Sequence, residues 1–344
     1  MQEKLNIIRR FKNEREFQVG AELLRGELPT YEARQKLSYL ADVVMESLVE
    51  LTKSELEKNF GTLPEGKFAI CAMGKLGGEE LTFGSDLDLV FIYDAEPTAD
   101  IMPSVYYSRL TQNIIVNSNT FSSGGKLYDI DARLRPSGKN SPIVSSLEAF
   151  EKYYKNDAWL WEFMALTRAR IIYGNPEIKG KIEAIIRRAL CQKRDQKELA
   201  KSVSDMRIKL AKNFPTTKIW DVKRIRGGLI DVDFISQYLQ LLHAHKHPEI
   251  LSRNSRAVFK NMEQAELLCH KQAQKLKYAT LLLNAIQTII RMTCGGNLDE
   301  ENTPEGLKKL LMKYTKSKDF KTLQKSLMEI ESDVLKIFNE IVSF

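Results

Sequence analysis

Two kinds of hydrophobic periodicity divide this sequence, and they constrain its fold more than any other feature. Apolar runs at residues 68–73 and 86–93 and an alternating run at residues 126–134 are typical of strands, because successive strand side chains point to opposite faces. From residue 145 almost to the C-terminus, apolar residues instead recur at helical spacing. The sequence therefore predicts an α+β protein, with a small mixed sheet followed by an all-helical bundle.

Capping and helix-breaking residues give the expected domain boundaries. Helical spacing also covers residues 31–60, and Gly61 and Pro64 then end it. Ser145 and Glu148 have the spacing of a capping box, which begins a helix. We therefore expect a helical extension over residues 1–30, a mixed catalytic domain over residues 31–144 and a helical bundle domain over residues 145–344.

Composition narrows the classes of protein that this chain can belong to. Its 344 residues are 43% hydrophobic, enough for two folded domains, but no run approaches the roughly 18 uncharged apolar residues of a membrane span. The start lacks a signal-peptide pattern, and the four cysteines form no Cys-x-x-Cys pair. The net charge of +7 comes from interleaved acidic and basic residues. We expect a cytoplasmic protein with neither a nucleic-acid nor a membrane partner.

Three aspartates are the candidate catalytic and metal-binding residues. Asp86 and Asp88 lie two apart on a predicted strand, so their side chains project from one face and repel unless a cation lies between them. Mg²⁺ prefers oxygen ligands and is usually held by one or two carboxylates with substrate phosphates. Asp131 lies on the polar face of a later strand, where it can add a third ligand or act as a base.

A glycine-rich turn before the aspartates is the candidate phosphate-binding element. Gly77 and Gly78 would let the backbone approach a polyphosphate, and residues 79–81 are expected to begin a short helix whose N–H groups favour anions. Arg133 and Arg135 share the face of Asp131, where they either neutralise phosphate charge or offset the aspartates. The nucleotide-binding candidates are Lys75, Gly77, Gly78, Ser85, Arg133 and Arg135.

Together these segments resemble the polymerase-β-like nucleotidyltransferases, and more narrowly the glutamine synthetase adenylyltransferase family. The resemblance covers roughly residues 37–242 and implies a polymerase-β-like sheet domain. It also implies two Mg²⁺ ions held by Asp86, Asp88 and Asp131, with ATP as the substrate. The motifs that carry it are residues 73–93, 129–138, 156–162, 166–170 and 227–234.

Members of that family carry two such cores, one that adds AMP to a tyrosine of glutamine synthetase and one that removes it. This chain has one core, whose motifs at residues 131–138 and 158–162 resemble the C-terminal, transferring version. The resemblance thus implies adenylylation of glutamine synthetase, with the PII signal protein as a candidate regulator. Ser141 and Asp233 depart from the family's glycine and glutamate. Three alternatives stay open: AMP removal from the same target, uridylylation of the PII protein, and a non-catalytic regulatory module.

Two carboxylates beyond the predicted sheet are further candidates. Asp231 and Asp233 follow the Gly227–Gly228 turn at the start of a predicted helix. The resemblance implies that this helix faces the nucleotide, and the alternative is that Asp231 only caps it.

The remaining distinctive side chains have structural interpretations. Trp159, Trp161, Phe163 and Leu166 are expected in the core. Arg168 and Arg170 either contact phosphate or form surface ion pairs. A metal site is not expected from the group His243, His245, His247, Cys269 and His270, because it does not place three ligands on one face.

Overall fold

The computed structural model describes residues 1–63, 65–98, 101–122, 124–296 and 298–342. These residues form helices and one small mixed sheet, which confirms the predicted α+β class. None of the helices in these ranges combines the length and the hydropathy of a membrane span. The helices and strands are, in chain order, α1 (Gln2–Arg25), α2 (Thr30–Phe60), β1 (Lys67–Ala72), α3 (Gly74–Gly77), β2 (Leu87–Asp94), α4 (Pro103–Asn119), β3 (Ile130–Asp131), β4 (Val144–Ser146), α5 (Leu147–Asn156), α6 (Leu160–Leu166), β5 (Arg170–Tyr173), α7 (Pro176–Leu190), α8 (Gln196–Asn213), α9 (Leu229–His243), α10 (Ser255–Gln264), α11 (His270–Cys294), α12 (Glu305–Thr315) and α13 (Phe320–Ile341).

Strand β2 is central to the sheet. One edge pairs with β1 in antiparallel register, from Lys67 opposite Asp94 to Ala72 opposite Leu89. The other edge is shared by two short parallel strands, β3 beside the first residues of β2 and β4 beside the later ones. Strand β5 pairs with the free edge of β1. Strands β1 and β2 are largely buried, which explains their continuous apolar sequences.

The third predicted strand is much shorter than its alternating sequence indicated. The pattern predicted a strand over residues 126–134, but only Ile130 and Asp131 pair with β2. The Asp131 carboxylate accepts a hydrogen bond from the Arg133 backbone N–H at 2.9 Å. A side chain that satisfies the backbone in this way competes with ladder pairing and turns the chain.

The helix expected to start at Ser145 starts one residue later. The hydroxyl of Ser146 accepts a hydrogen bond from the Ala149 backbone N–H at 3.1 Å and caps α5. Ser145 is unavailable as the cap because it belongs to β4, opposite Ile92 of β2.

The described chain divides into two compact units. The first, residues 1–18, 36–81 and 85–189, contains the sheet, and the second comprises residues 19–35, 82–84 and 190–344. The first unit therefore extends past the boundary at residue 144 that periodicity suggested. The reason is β5, which returns to the sheet and pairs with β1 after two helices.

The tryptophans of the first unit are less buried than expected. Phe163 and Leu166 lie in the core as predicted, but Trp159 is 70% exposed and Trp161 37% exposed, so the prediction was wrong for both. Trp159 precedes the first turn of α6. Glu162 takes the inward position instead and accepts a hydrogen bond from the Tyr153 hydroxyl at 2.7 Å.

A buried carboxyl in the second unit makes its stability depend on pH. Glu331 on α13 is 7% exposed, and its Oε1 atom has no hydrogen-bond partner in the described structure. Burial raises the pKa of this side chain from 4.5 to about 8, because desolvation disfavours the charged form. The folded protein therefore holds a proton on Glu331 through a pH range in which the unfolded chain has lost it.

We expect the free energy of unfolding to fall as pH rises from about 4.5 to about 8. The stabilisation from the raised pKa is complete below the unfolded pKa and is lost as pH passes the folded pKa. Discounted for partial solvation, the loss is about 2–3 kcal/mol. Urea unfolding at several pH values measures it, and Glu331→Gln should flatten this part of the profile. An unchanged slope in the variant would assign the pH dependence to other groups.

Candidate active site

Two of the candidate aspartates face each other across adjacent strands. Asp88 of β2 and Asp131 of β3 are register partners in the parallel pair, one step beyond Leu87 and Ile130. Paired residues of neighbouring strands project their side chains from the same face of the sheet. The fold therefore brings together two carboxylates that lie far apart in the sequence.

Arg133 links all three aspartates electrostatically. Its guanidinium donates to both carboxylate oxygens of Asp131, with Nε–Oδ1 and Nε–Oδ2 distances of 2.9 and 2.7 Å, and Nη2 also contacts Oδ2. The pKa of Arg133 is raised, first by this hydrogen bond and the charge of Asp131, then by the charges of Asp88 and Asp86. Asp86 itself is exposed immediately before β2. One cationic side chain thus offsets a cluster of three carboxylates.

Arg135 holds a loop instead of facing the cluster. Its guanidinium donates to the backbone oxygen of Ala132 at 2.8 Å and to that of Ser141 at 3.2 Å. Burial lowers the pKa of Arg135. The Ser141 hydroxyl donates to the backbone oxygens of Pro136 and Gly138 in the same loop. Arg135 and Ser141 therefore fix the segment that follows Asp131 and Arg133.

Gly74 is the glycine that approaches an aspartate most closely, and the sequence had not singled it out. It has a φ of +52°, and a Cβ atom there would lie 2.3 Å from Oδ2 of Asp88. The backbone N–H of the preceding residue, Met73, donates to the Asp88 carbonyl at 2.8 Å. The register of the β1–β2 hairpin could have identified it. Ala72 lies opposite Leu89, so the next residue of the chain lies opposite Asp88.

Gly74→Ala is expected to push the Asp88 carboxylate aside and to destabilise the protein by about 1–3 kcal/mol, from the collision and the positive φ. Gly61→Ala is a matched control, because Gly61 also has a positive φ of +75° but a Cβ there meets no described atom within 4 Å. The control should cost about 1 kcal/mol. Thermal unfolding measures both, and equal losses would mean that the Asp88 contact adds no cost.

The glycine-rich turn has a different geometry from the predicted one. The short helix is α3, Gly74–Gly77, which includes Lys75. Residues 79–81 were expected to begin a helix, but they do not, and Glu79 has a left-handed φ of +57°. Gly77 is needed for packing, because a Cβ there would lie 1.9 Å from the Arg168 carbonyl oxygen. Gly78 ends α3, and Ser85 is buried between this turn and β2.

Two arginines clamp this turn from the β5 side. Arg168 forms a buried ion pair with Glu80 at 3.0 Å. Arg170 donates to both oxygens of Asp42, at 2.7 and 3.0 Å, and to the carbonyl of Leu76 at 3.0 Å. Arg168 and Arg170 therefore form ion pairs, which was one of the two roles predicted for them. These ion pairs are shielded from solvent and do not lie on the surface. Their effect is to fix α3 against the sheet.

In the second unit, Asp231 has a structural environment. Its side chain is fully buried, and its oxygens accept hydrogen bonds from Arg207 at 2.8 and 3.1 Å and from the Gly227 backbone N–H at 2.6 Å. Asp231 does not cap α9, because the N-cap residue is Gly228 and has no side-chain capping hydrogen bond. The carboxylate instead joins α9 to Arg207 of α8. Asp233 is half-buried and accepts a hydrogen bond from the Ser255 hydroxyl at 3.0 Å.

The histidines show the ordinary contacts of helix ends. His245 contacts the Leu242 carbonyl, His247 contacts Glu249, and His270 contacts Glu263. Across the residues that the structure describes, no group of three or more His, Cys, Asp or Glu side chains is arranged to hold a metal ion. The Asp131 carboxylate is paired with Arg133.

Comparison with known proteins identifies the family of this chain. A family model described as glutamate-ammonia ligase adenylyltransferase matches residues 2–185. Over 99% of its length the chain is 36% identical to the bifunctional glutamine synthetase adenylyltransferase/adenylyl-removing enzyme of Rhodopseudomonas palustris strain TIE-1. It is 34% identical to the protein of that name from Xanthobacter autotrophicus and 35% identical to that of Bradyrhizobium diazoefficiens. The chain spans 35% of the length of each of these relatives.

The family match extends over more than half of the chain, including both strands that carry the facing aspartates. The chain therefore belongs to the glutamate-ammonia ligase adenylyltransferase family, as its motifs had indicated.

Proposed function

We propose that this chain transfers AMP from ATP to a tyrosine of glutamine synthetase, in a reaction that depends on Mg²⁺. The observation that carries the proposal is the register pairing of Asp88 with Asp131, beside Asp86 and within the field of Arg133. The names of the relatives support the target. We further propose that the chain corresponds to the C-terminal, transferring core of such proteins, because of its motifs at residues 131–138 and 158–162.

The donor chemistry of the cluster fits magnesium. The carboxylates of Asp88 and Asp131, on paired positions of two strands, supply the hard oxygen ligands that this ion prefers. Asp131 also forms an ion pair with the cationic side chain of Arg133. Asp86, Asp88 and Asp131 would hold up to two ions. Bound magnesium supplies charge neutralisation at the phosphates and orients them for in-line displacement.

The chain's own residues supply positioning and proton transfer. In the proposed reaction the tyrosine oxygen forms a bond to the α-phosphorus of ATP, and the bond from that phosphorus to the bridging oxygen breaks to release pyrophosphate. In this reaction the Asp131 carboxylate accepts the tyrosine proton. Arg133, whose side chain is 65% exposed, exchanges Asp131 for the leaving polyphosphate. Arg168 and Arg170 fix the turn that contains Lys75 and Gly78.

The proposal includes partners and a location. Glutamine synthetase is the protein substrate, the PII signal protein is a candidate regulator, and the cytoplasm is the compartment. The scattered free cysteines, Cys71, Cys191, Cys269 and Cys294, agree with a reducing compartment.

Intact-mass analysis of glutamine synthetase tests the function directly. The enzyme is incubated with this chain, ATP and Mg²⁺, and we expect a mass increase of one adenylyl group per subunit. A parallel sample without divalent cation should show none. If folded, metal-loaded protein leaves the mass of glutamine synthetase unchanged, the proposed transfer is wrong.

Two further samples separate the related activities. AMP-modified glutamine synthetase with phosphate in place of ATP detects the removing reaction. UTP with PII protein detects uridylylation. If glutamine synthetase gains no AMP but loses it in the first sample, the chain catalyses the removing reaction. If PII protein gains UMP in the second sample instead, the chain is a uridylyltransferase.

A further inference from the structure

Glu162 on α6 is a buried carboxylate held by neutral donors. It is 4% exposed, and it forms no ion pair with any residue that the structure describes. The Tyr153 hydroxyl lies 2.8 and 2.7 Å from its two oxygens, and the Trp159 backbone N–H donates to Oε2 at 2.8 Å. Burying a carboxylate without an opposite charge costs stability. The bond from Trp159 caps α6 itself, whereas the bond from Tyr153 ties this helix to α5.

Tyr153 joins Glu162 to the loop that follows the aspartate cluster. The tyrosine is buried on α5, and Ser137 of that loop hydrogen-bonds to the same hydroxyl group. Burial and the bond to Glu162 raise the pKa of Tyr153 to about 12, against the opposing effect of Ser137. The hydroxyl therefore stays protonated at neutral pH and donates to the carboxylate of Glu162.

The turn at Ser137 and Gly138 packs back against Arg133. Both residues have a left-handed backbone, with φ of +58° and +57°. Ser137 lacks the freedom of glycine, and such a conformation persists only where the surroundings impose it. A Cβ atom on Gly138 would lie 3.8 Å from the Arg133 carbonyl oxygen. The turn therefore contacts the backbone that carries the guanidinium offsetting the aspartates.

We propose that Tyr153 and Glu162 are positioning residues for the AMP transfer, which hold the turn at residues 137–138 and thereby place Arg133 at the aspartate cluster. The inference rests on the proposed function and extends it to two side chains outside the cluster. All of these residues belong to the first unit. In the proposed reaction Arg133 meets the leaving polyphosphate, so a displaced guanidinium lowers the rate of transfer more than the affinity for ATP.

Tyr153→Phe tests the inference, because it keeps the ring and removes the hydroxyl. We expect kcat for AMP transfer to fall about 10-fold or more, while KM for ATP stays within about threefold of the original. Amide hydrogen exchange of residues 132–142 should become faster, because the turn has lost its anchor. Intact-mass analysis of glutamine synthetase over time gives the rate, and mass spectrometry of peptides gives the exchange.

Two substitutions of Glu162 separate its role as an acceptor from its charge. Oε2 accepts from both Tyr153 and Trp159, so the single amide oxygen of Glu162→Gln can take its place. This variant should keep kcat within about threefold of the original. Glu162→Ala has no acceptor, and both its kcat and its loop exchange should change as in Tyr153→Phe.

Arg133→Ala distinguishes positioning from a purely structural role. In this background the group to be positioned is gone, so adding Tyr153→Phe should lower the residual rate by about twofold or less. Tyr173→Phe is the matched control. The Tyr173 hydroxyl also donates to a glutamate, Glu50, at 2.5 Å, but Tyr173 lies on β5 opposite Ile70. This variant should change neither kcat nor the exchange of residues 132–142.

Three results would overturn the inference: a kcat of Tyr153→Phe within about threefold of the original, unchanged exchange of residues 132–142, or a full loss of rate that persists in the Arg133→Ala background. Failure of the proposed function looks different, because the unmodified chain then adds no AMP to glutamine synthetase. The exchange measurement needs no turnover. Faster exchange in Tyr153→Phe would still support the anchoring of the turn, and unchanged exchange would contradict it.

Discussion

Replacing Asp88 by asparagine is expected to lower the rate of AMP transfer to glutamine synthetase by about a thousandfold or more. The substitution keeps the shape of the side chain and its place opposite Asp131. It removes one of the negative charges that hold the divalent cation, and with it much of the charge stabilisation of the transition state. The intact-mass assay, sampled over time, gives the rate for both proteins.

Asp94→Asn provides the comparison for this experiment. Asp94 ends the same strand, β2, and its carboxylate pairs with Lys181 at 2.8 Å on the surface. The chemical change is identical, but it is made at the far end of the ladder. Its rate should stay within about threefold of the original, because exposed ion pairs contribute little. A near-normal rate for Asp88→Asn would remove Asp88 from the metal site.

The second large effect concerns stability. Asp231→Ala is expected to reduce the free energy of unfolding by about 3–5 kcal/mol, because it leaves the guanidinium of Arg207 buried without its counter-charge. The side chains of this pair are 1% and 0% exposed, so water cannot take the place of the lost carboxylate. The Gly227 backbone N–H loses its acceptor as well. Urea unfolding followed by circular dichroism measures the loss.

A double-mutant cycle separates the ion pair from general damage to the core. Arg207→Met alone should also be costly, whereas Arg207→Met combined with Asp231→Leu should cost at least about 2 kcal/mol less than the sum of the single changes. Asp205→Ala, on the exposed face of α8, should change stability by about 0.5 kcal/mol or less. Additive losses in the cycle would show that the two side chains stabilise the unit independently.

Much of the site could be predicted because its signals are local. The spacing of Asp86 and Asp88 predicts one shared face; Asp88 lies in β2, and Asp86 immediately precedes this strand. The motif around them indicated the family, which the comparisons confirm. The catalytic and metal-binding roles of Asp86, Asp88 and Asp131 remain proposals that the Asp88 experiment tests.

The third strand was predicted too long because a side chain competes with the neighbouring strand for the backbone. Residues 126–134 alternate like a strand, yet the Asp131 carboxylate turns the chain at Arg133. Gly77, predicted as a phosphate contact, also makes room for the Arg168 carbonyl. That carbonyl belongs to a distant segment and is not visible in a local pattern.

The sequence by itself determined the kinds of elements and the family, because periodicity and motifs are properties of short segments. Only the tertiary structure decided that Asp131 lies opposite Asp88, that Arg133 offsets the cluster and that Asp231 is neutralised by Arg207. The physical reason is that strand register and the burial of charge depend on which segments pack together.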